Sequence, residues 1–134
     1  MEANELIKEL RLGNYIKLEK YLNDGDRVFK VEIFGVNNRI STSCINKDGE
    51  ERFVFMKLPY EPIQLTEEIL LKCGFEKIRT DYFIEGIRFY VSKPDNFDDF
   101  VLVDKDSVLT IVKHLHQLQN LYFSLTGEEL KVNL

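Results

Sequence analysis

The residues of this chain best suited to gripping a ligand fall in one short stretch: Arg79, Tyr82, Phe83, Arg88, Phe89 and Tyr90. Arginine forks bind phosphate in a two-pronged fashion, and aromatic faces stack on bases. Around Gly86 the stretch reads as a hairpin, with alternation sending Arg88 and Tyr90 to one face and Phe89 and Val91 to the other. With Tyr82 lying across the hairpin and Arg79 nearby, that face is expected to hold a nucleotide or another small phosphorylated ligand. The plainer expectation is a core pair, Phe89 and Val91, backed by a solvent-facing cross-strand pair, Arg88 and Tyr90.

The other reactive residues point to less. His114 and His116 are the chain's two histidines. On a strand they share a face and both reach a metal; on a helix they diverge by about 200° and do not. A helix beginning near Lys113 therefore predicts diverging rings, one packed and one solvated, and no metal site. Cys44 and Cys73 stand 29 positions apart, without the paired spacing of a zinc site. They read as small buried hydrophobes. The acidic run PDNFDDFVLVDKD lacks the glycine and closing glutamate of a calcium loop, and reads as a solvated loop entering a strand. No phosphate loop, dinucleotide fingerprint, zincin motif or nucleophile elbow occurs, so neither an enzyme nor a cofactor is expected.

Composition sets the bounds. The 134 residues carry 18 basic and 23 acidic side chains, net −5, with 44% hydrophobic and 31% charged residues. This is globular composition, and one domain's worth of chain. Residues 1–57 hold ten of each sign, so the whole imbalance lies in residues 58–134. A strongly basic nucleic-acid binder looks different. Arg27, Lys30, Arg39, Lys47, Arg52 and Lys57 dot the first half, but Glu32, Asp48, Glu50 and Glu51 interleave with them, so nucleic-acid binding is disfavoured. The longest apolar runs are four residues, too short to span a membrane. The opening MEANELIKEL has neither basic nor apolar leader regions, which predicts a cytoplasmic protein.

The elements that must position these residues follow from pattern. Residues 1–9 read as a short helix broken by Gly13-Asn14. Strands are expected at Tyr15 to Glu19, Arg27 to Val36, Arg39 to Ile45 and Glu51 to Leu58, joined by tight Asn, Asp and Gly turns. Four strands in so short a span predict a strongly bent antiparallel sheet, of the SH3-like small-barrel kind. Thr66-Glu67-Glu68 starts a helix that Gly74 stops. Phe75 to Arg79, the hairpin arms Asp81 to Glu85 and Ile87 to Lys93, and Phe97 to Val103 read as extended. Residues 107–126 divide: β-branched Val108, Thr110, Ile111 and Val112 favour a strand, while Leu115, Leu118, Tyr122 and Leu125 form a helical stripe to Thr126. Leu121 and Phe123 lie off that stripe, which makes the helix a candidate for self-association. Glu128 to Leu134 is a tail or short edge strand.

Three segments carry a likeness to known sequences: ELRLGNYIKL (9–18), YEPIQLTEEILLKCGFEK (60–77) and KHLHQLQNLYFSLTGEEL (113–130). With them the chain resembles a family of small uncharacterised proteins of Bacteroidota genomes and their phages and mobile elements. The family has no assigned activity or catalytic motif, so the resemblance implies context alone: an accessory protein that binds and adapts or interferes with host machinery.

The expected architecture is therefore α+β in a single domain, divisible into a β subdomain, 1–58, and an α+β subdomain, 59–134. It comprises a bent sheet, a short middle helix, a second small sheet or hairpin and a C-terminal helix. The expected function is non-catalytic binding, in its sharpest form the sequestration of a phosphorylated host defence signal through Arg79, Tyr82, Arg88 and Tyr90. The alternatives are a nucleic-acid accessory factor and an adaptor or inhibitor of a host protein.

Overall fold

A computed structural model describes residues 6, 8–17, 28–36, 39–45, 51–57 and 60–134; the side chains of 33–36, 39–40, 44–45 and 51–57 lie outside the description. The chain is α+β and divides into two compact units, Met1–Ile63 and Gln64–Leu134.

Among its described residues the first unit holds one antiparallel sheet, preceded by helical Leu6, Lys8 and Glu9, where the Leu10 N–H donates to the Leu6 carbonyl. Its strands are β1 (Tyr15–Lys17), β2 (Val28–Val36), β3 (Arg39–Ile45), β4 (Glu51–Lys57) and the two-residue β5 (Glu61–Pro62). The order β4-β3-β2-β1-β5 leaves β4 and β5 as edges, so the SH3-like barrel expected from the sequence is not closed. Register shifts along β2 against β3, at Val31/Ile33 and Ile33/Val36, are the bulges by which a strand bends without closing. The LRLGNY opening forms a structured corner. Gly13 takes φ +89, its N–H donates to the Val31 carbonyl, and Asn14 turns its side-chain oxygen back to the Arg11 N–H at 2.8 Å. Ile16, Phe29, Val31 and Tyr60 are buried, with Tyr60 edge-on to Phe29 at 6.1 Å between ring centres.

The second unit holds a second antiparallel sheet, ordered β10-β9-β8-β7-β6, and two helices. Helix α1 (Glu67–Lys72) begins where expected: the Thr66 hydroxyl accepts from the Ile69 N–H at 3.2 Å, and Glu67 and Glu68 occupy the first turn. It ends at Gly74, whose φ of +90 lets the Phe75 N–H reach back to the Leu70 carbonyl. The strands are β6 (Glu76–Ile78), β7 (Asp81–Phe83), β8 (Tyr90–Ser92), β9 (Phe100–Asp104) and β10 (Ser107–Val112). Lys105 and Asp106, both at positive φ, make the tight β9–β10 turn.

Helix α2 (Leu115–Thr126) follows at once, which bears out the division of residues 107–126 into strand and helix. It closes on Gly127 at φ +76. Leu115, Leu118 and Tyr122 are buried as the stripe predicts, and Phe89 meets Tyr122 edge-on at 5.8 Å. Leu125, however, is 42% exposed: the buried face turns instead through His116 and Gln119. The tail forms no strand; Leu130 is buried and the Asn133 N–H donates to the Lys72 carbonyl.

Candidate functional site

Registered partners in an antiparallel sheet share a face, so the ladder of the second sheet assigns each side chain to a side. One row runs Lys77, Tyr82, Val91, Leu102, Thr110. Tyr82, Val91 and Leu102 in it are buried, and this is the inner face, toward α2. On the opposite, outer face one row runs Ile78, Asp81, Ser92, Val101, Ile111, exposed at Ile78 and Ile111 and buried at Ser92 and Val101. A second outer row links Tyr90, Val103 and Val108 and continues through Phe83, whose ring lies 4.7 Å from that of Tyr90.

This geometry separates the four residues that the sequence groups together. Alternation holds for Arg88 and Tyr90 against Phe89 and Val91, the latter two buried. Tyr82 is on the other side: it registers with Val91, packs edge-on against Phe100 at 5.8 Å, and is buried. Burial first, and then Glu67, push its hydroxyl pKa up. Lys77 sits 5.9 Å from the Tyr82 ring centre and ion-pairs with Glu67 at 2.8 Å, so Tyr82 belongs to a strut between sheet and helix α1. Arg79 occupies the β6–β7 turn at φ +59, exposed, beyond the end of the hairpin where Asp81 meets Ser92. Arg88 lies past the other end, about 20 Å away along the strands at ~3.4 Å per residue.

Arg88 has a partner the sequence did not suggest. Its Nε lies 3.0 Å from Asp104 Oδ1 and its Nη2 donates to Oδ2 at 3.1 Å. The arginine side chain is 66% exposed and the aspartate 13%. The fork that would hold a phosphate already holds a carboxylate. Tyr90 sits among further acids. Partial burial raises its hydroxyl pKa, and the negative charges of Asp81 and Asp106 raise it further. What assembles on the outer face is an aromatic pair, Phe83 and Tyr90, next to the buried Val103 and the exposed Val108, with Asp81 and Asp106 near Tyr90.

The histidines correct a second expectation. His114 is the N-cap of α2, with extended φ −129 and ψ 151, so the helical divergence does not apply. Its ring stacks on that of His116, centres 5.6 Å apart and planes 11° from parallel. His116 is fully buried. The Gln117 side chain accepts from the His114 N–H at 3.1 Å and so holds the cap in place. Among the described residues no three His, Cys, Asp or Glu side chains gather as a metal group.

Cys73, the C-cap of α1, is buried, and burial pushes its thiol up to about 12 from 9.0. Cys44's side chain lies outside the described residues. Because the folded pKa of Cys73 is raised, its contribution to stability is complete below pH 9 and is lost as pH climbs from 9 toward 12. The thiolate is the species that alkylates. At pH 8 Cys73 should therefore resist iodoacetamide in the folded protein and react once denatured, as read by peptide mass mapping. Equal labelling in both states would contradict its placement.

Of the first-half cations, Arg27 and Lys47 lie outside the described residues, as do the side chains of Arg39, Arg52 and Lys57; Lys30 is half-buried. Glu32, on the same strand, accepts from the Ser43 hydroxyl at 3.1 Å. No helix among the described residues is long and apolar enough to cross a membrane. Comparison with protein-family models, with curated proteins and with solved structures finds no match.

Proposed function

We propose that this chain is a non-catalytic binding protein, of the phage or mobile-element accessory kind its sequence resembles, and that it acts on a protein partner through the outer face of its second sheet. The observation that carries this reading is the Phe83–Tyr90 pair, half-buried with ring centres 4.7 Å apart, on the face where Val108 is 62% exposed; Val103, which registers with both Tyr90 and Val108, is buried. Aromatic side chains anchored in an apolar strip with a polar rim are the usual energetic centre of a protein interface. The rim is acidic, through Asp81 and Asp106, so the matching partner presents apolar side chains bordered by lysine or arginine.

A second reading, capture of a small phosphorylated ligand such as a nucleotide, draws support from the exposure of Arg88 beside Tyr90. It requires the ligand to displace Asp104 and to approach the negative charges around Tyr90, both of which oppose an anion.

Calorimetric titration with linear and cyclic nucleotides separates the two. The protein-partner reading expects no binding, and expects Arg88→Ala to lower folding stability by up to about 1 kcal/mol, because Asp104 loses its ion pair and the one hydrogen bond to Oδ2. The sequence alone, placing Arg88 on an open strand, predicts almost no loss. Nucleotide binding that falls roughly ten- to a hundredfold in Arg88→Ala, the weight of one charge-assisted contact, would transfer the function to the second reading.

A further inference from the structure

Strand β10 is an edge strand without the usual protection. Ser107, Val108, Leu109, Thr110 and Ile111 are all exposed, with Val108 at 62%, Leu109 at 50% and Ile111 at 45%. No residue from Ser107 to Val112 is charged. On one side β10 pairs with β9; on the other, among the described residues, no backbone hydrogen bond reaches the strand until the Leu65 N–H meets the Lys113 carbonyl just past its end. Natural sheets blunt such edges with charge, proline or short length. The opposite edge of the same sheet, β6, has that protection: three residues, two of them Glu76 and Lys77.

We propose that β10 pairs antiparallel with β10 of a second copy of this chain, making a two-fold dimer. This goes beyond the protein-partner reading above and does not depend on it. Three features specify a second copy. An edge strand paired antiparallel with itself closes on a two-fold axis and needs no other surface. The strand is bounded by opposite charges, Asp106 before it and Lys113 after it. Leu65 and Gln64 already pair beside Lys113 and His114, so antiparallel pairing over 107–112 brings the Asp106 side chain of each copy toward the Lys113 side chain of the other without a further backbone pair there. Parallel pairing would instead put like charges together.

The third feature is the bulge at Leu109. It shifts the register between Val108 and Thr110, so that Val108 and Ile111 come to share the outer face with Val103 and Val101, while Ser107 and Val112 share the inner face with Asp104 and Phe100. Aligning Asp106 with Lys113 then aligns Val108 with Ile111 and Ser107 with Val112, each pair on a common face. An unbulged strand would put such pairs on opposite faces. Edge pairing over six residues buries a modest area, and interfaces below about 1,200 Å² are of the transient kind. The dimer is therefore reversible and concentration-dependent.

Sedimentation velocity of the full chain over a concentration series tests this. Wild type is expected to pass from monomer to dimer and no further. Ile111→Lys, at an exposed position, should hold the chain monomeric. Lys113→Asp should weaken the dimer about tenfold by facing like charges across the strands, and adding Asp106→Lys to it should restore association. Circular dichroism confirms that each variant is folded, and the charge pair gives a readout even where Ile111→Lys is not. A wild type monomeric at the highest concentrations, an open-ended assembly, or a dimer indifferent to the charge reversal would overturn the proposal. So would a dimer that survives Ile111→Lys and is lost on Phe123→Asp, which would place the contact on α2.

Discussion

Replacing Leu118 by alanine is expected to cost about 2–5 kcal/mol of folding free energy, the range for opening a cavity in a packed core. Leu118 is fully buried, one turn from Leu115 and one turn from Tyr122 on the face of α2 that meets the second sheet. Leu125 is the internal control. The helical stripe read from the sequence makes it equivalent to Leu118, whereas its exposure predicts a loss under about 1 kcal/mol for Leu125→Ala. Urea unfolding followed by circular dichroism measures both: the midpoint should fall well below wild type for Leu118→Ala and stay near it for Leu125→Ala. Equal losses would mean that α2 packs on the sequence stripe after all.

Phe89→Ala is expected to cost about 3–5 kcal/mol. Phe89 precedes β8, is buried, and meets Tyr122 edge-on, so one ring joins the hairpin to α2. Its removal takes away apolar area and an aromatic contact together. Phe97, in the loop before β9, is exposed, and Phe97→Ala should stay within about 0.5 kcal/mol of wild type. Hydrogen exchange adds a spatial test: β8 and α2 amides should lose protection together in Phe89→Ala. Loss confined to the hairpin would contradict the bridge.

Where local chemistry decides, the fold was legible in the sequence. Thr66 and Gly74 bracket α1 because a hydroxyl cap and a positive-φ glycine act within one turn. The β-branched run to Val112 and the Leu115–Leu118–Tyr122 spacing mark strand and helix because each depends on neighbours in sequence. The alternation of Arg88, Phe89, Tyr90 and Val91 held for the same reason.

What failed depended on distant partners or on a single residue's backbone. Sequence spacing puts Tyr82 on the wrong side, away from its partner Val91, because a hairpin's register is not fixed by composition when the turn is long. Asp104 pairs with Arg88 from another strand, 16 positions away, and leaves no local signal. The histidine rings stack because His114 caps α2 from an extended conformation, and a two-residue error in where a helix begins reverses that geometry. The barrel failed to close because closure requires the two edge strands to meet, a long-range event that strand count does not determine.

The most direct test of a protein-binding outer face is site-specific photocrosslinking inside cells that express the chain. A photoreactive aromatic amino acid replaces Tyr90 in one variant and Lys131, on the exposed tail, in another. The account predicts a discrete covalent adduct to one cellular protein from position 90, absent from position 131 and abolished by adding Phe83→Asp. Identical adduct patterns from both positions, or none from position 90 while the purified chain binds a nucleotide, would contradict it.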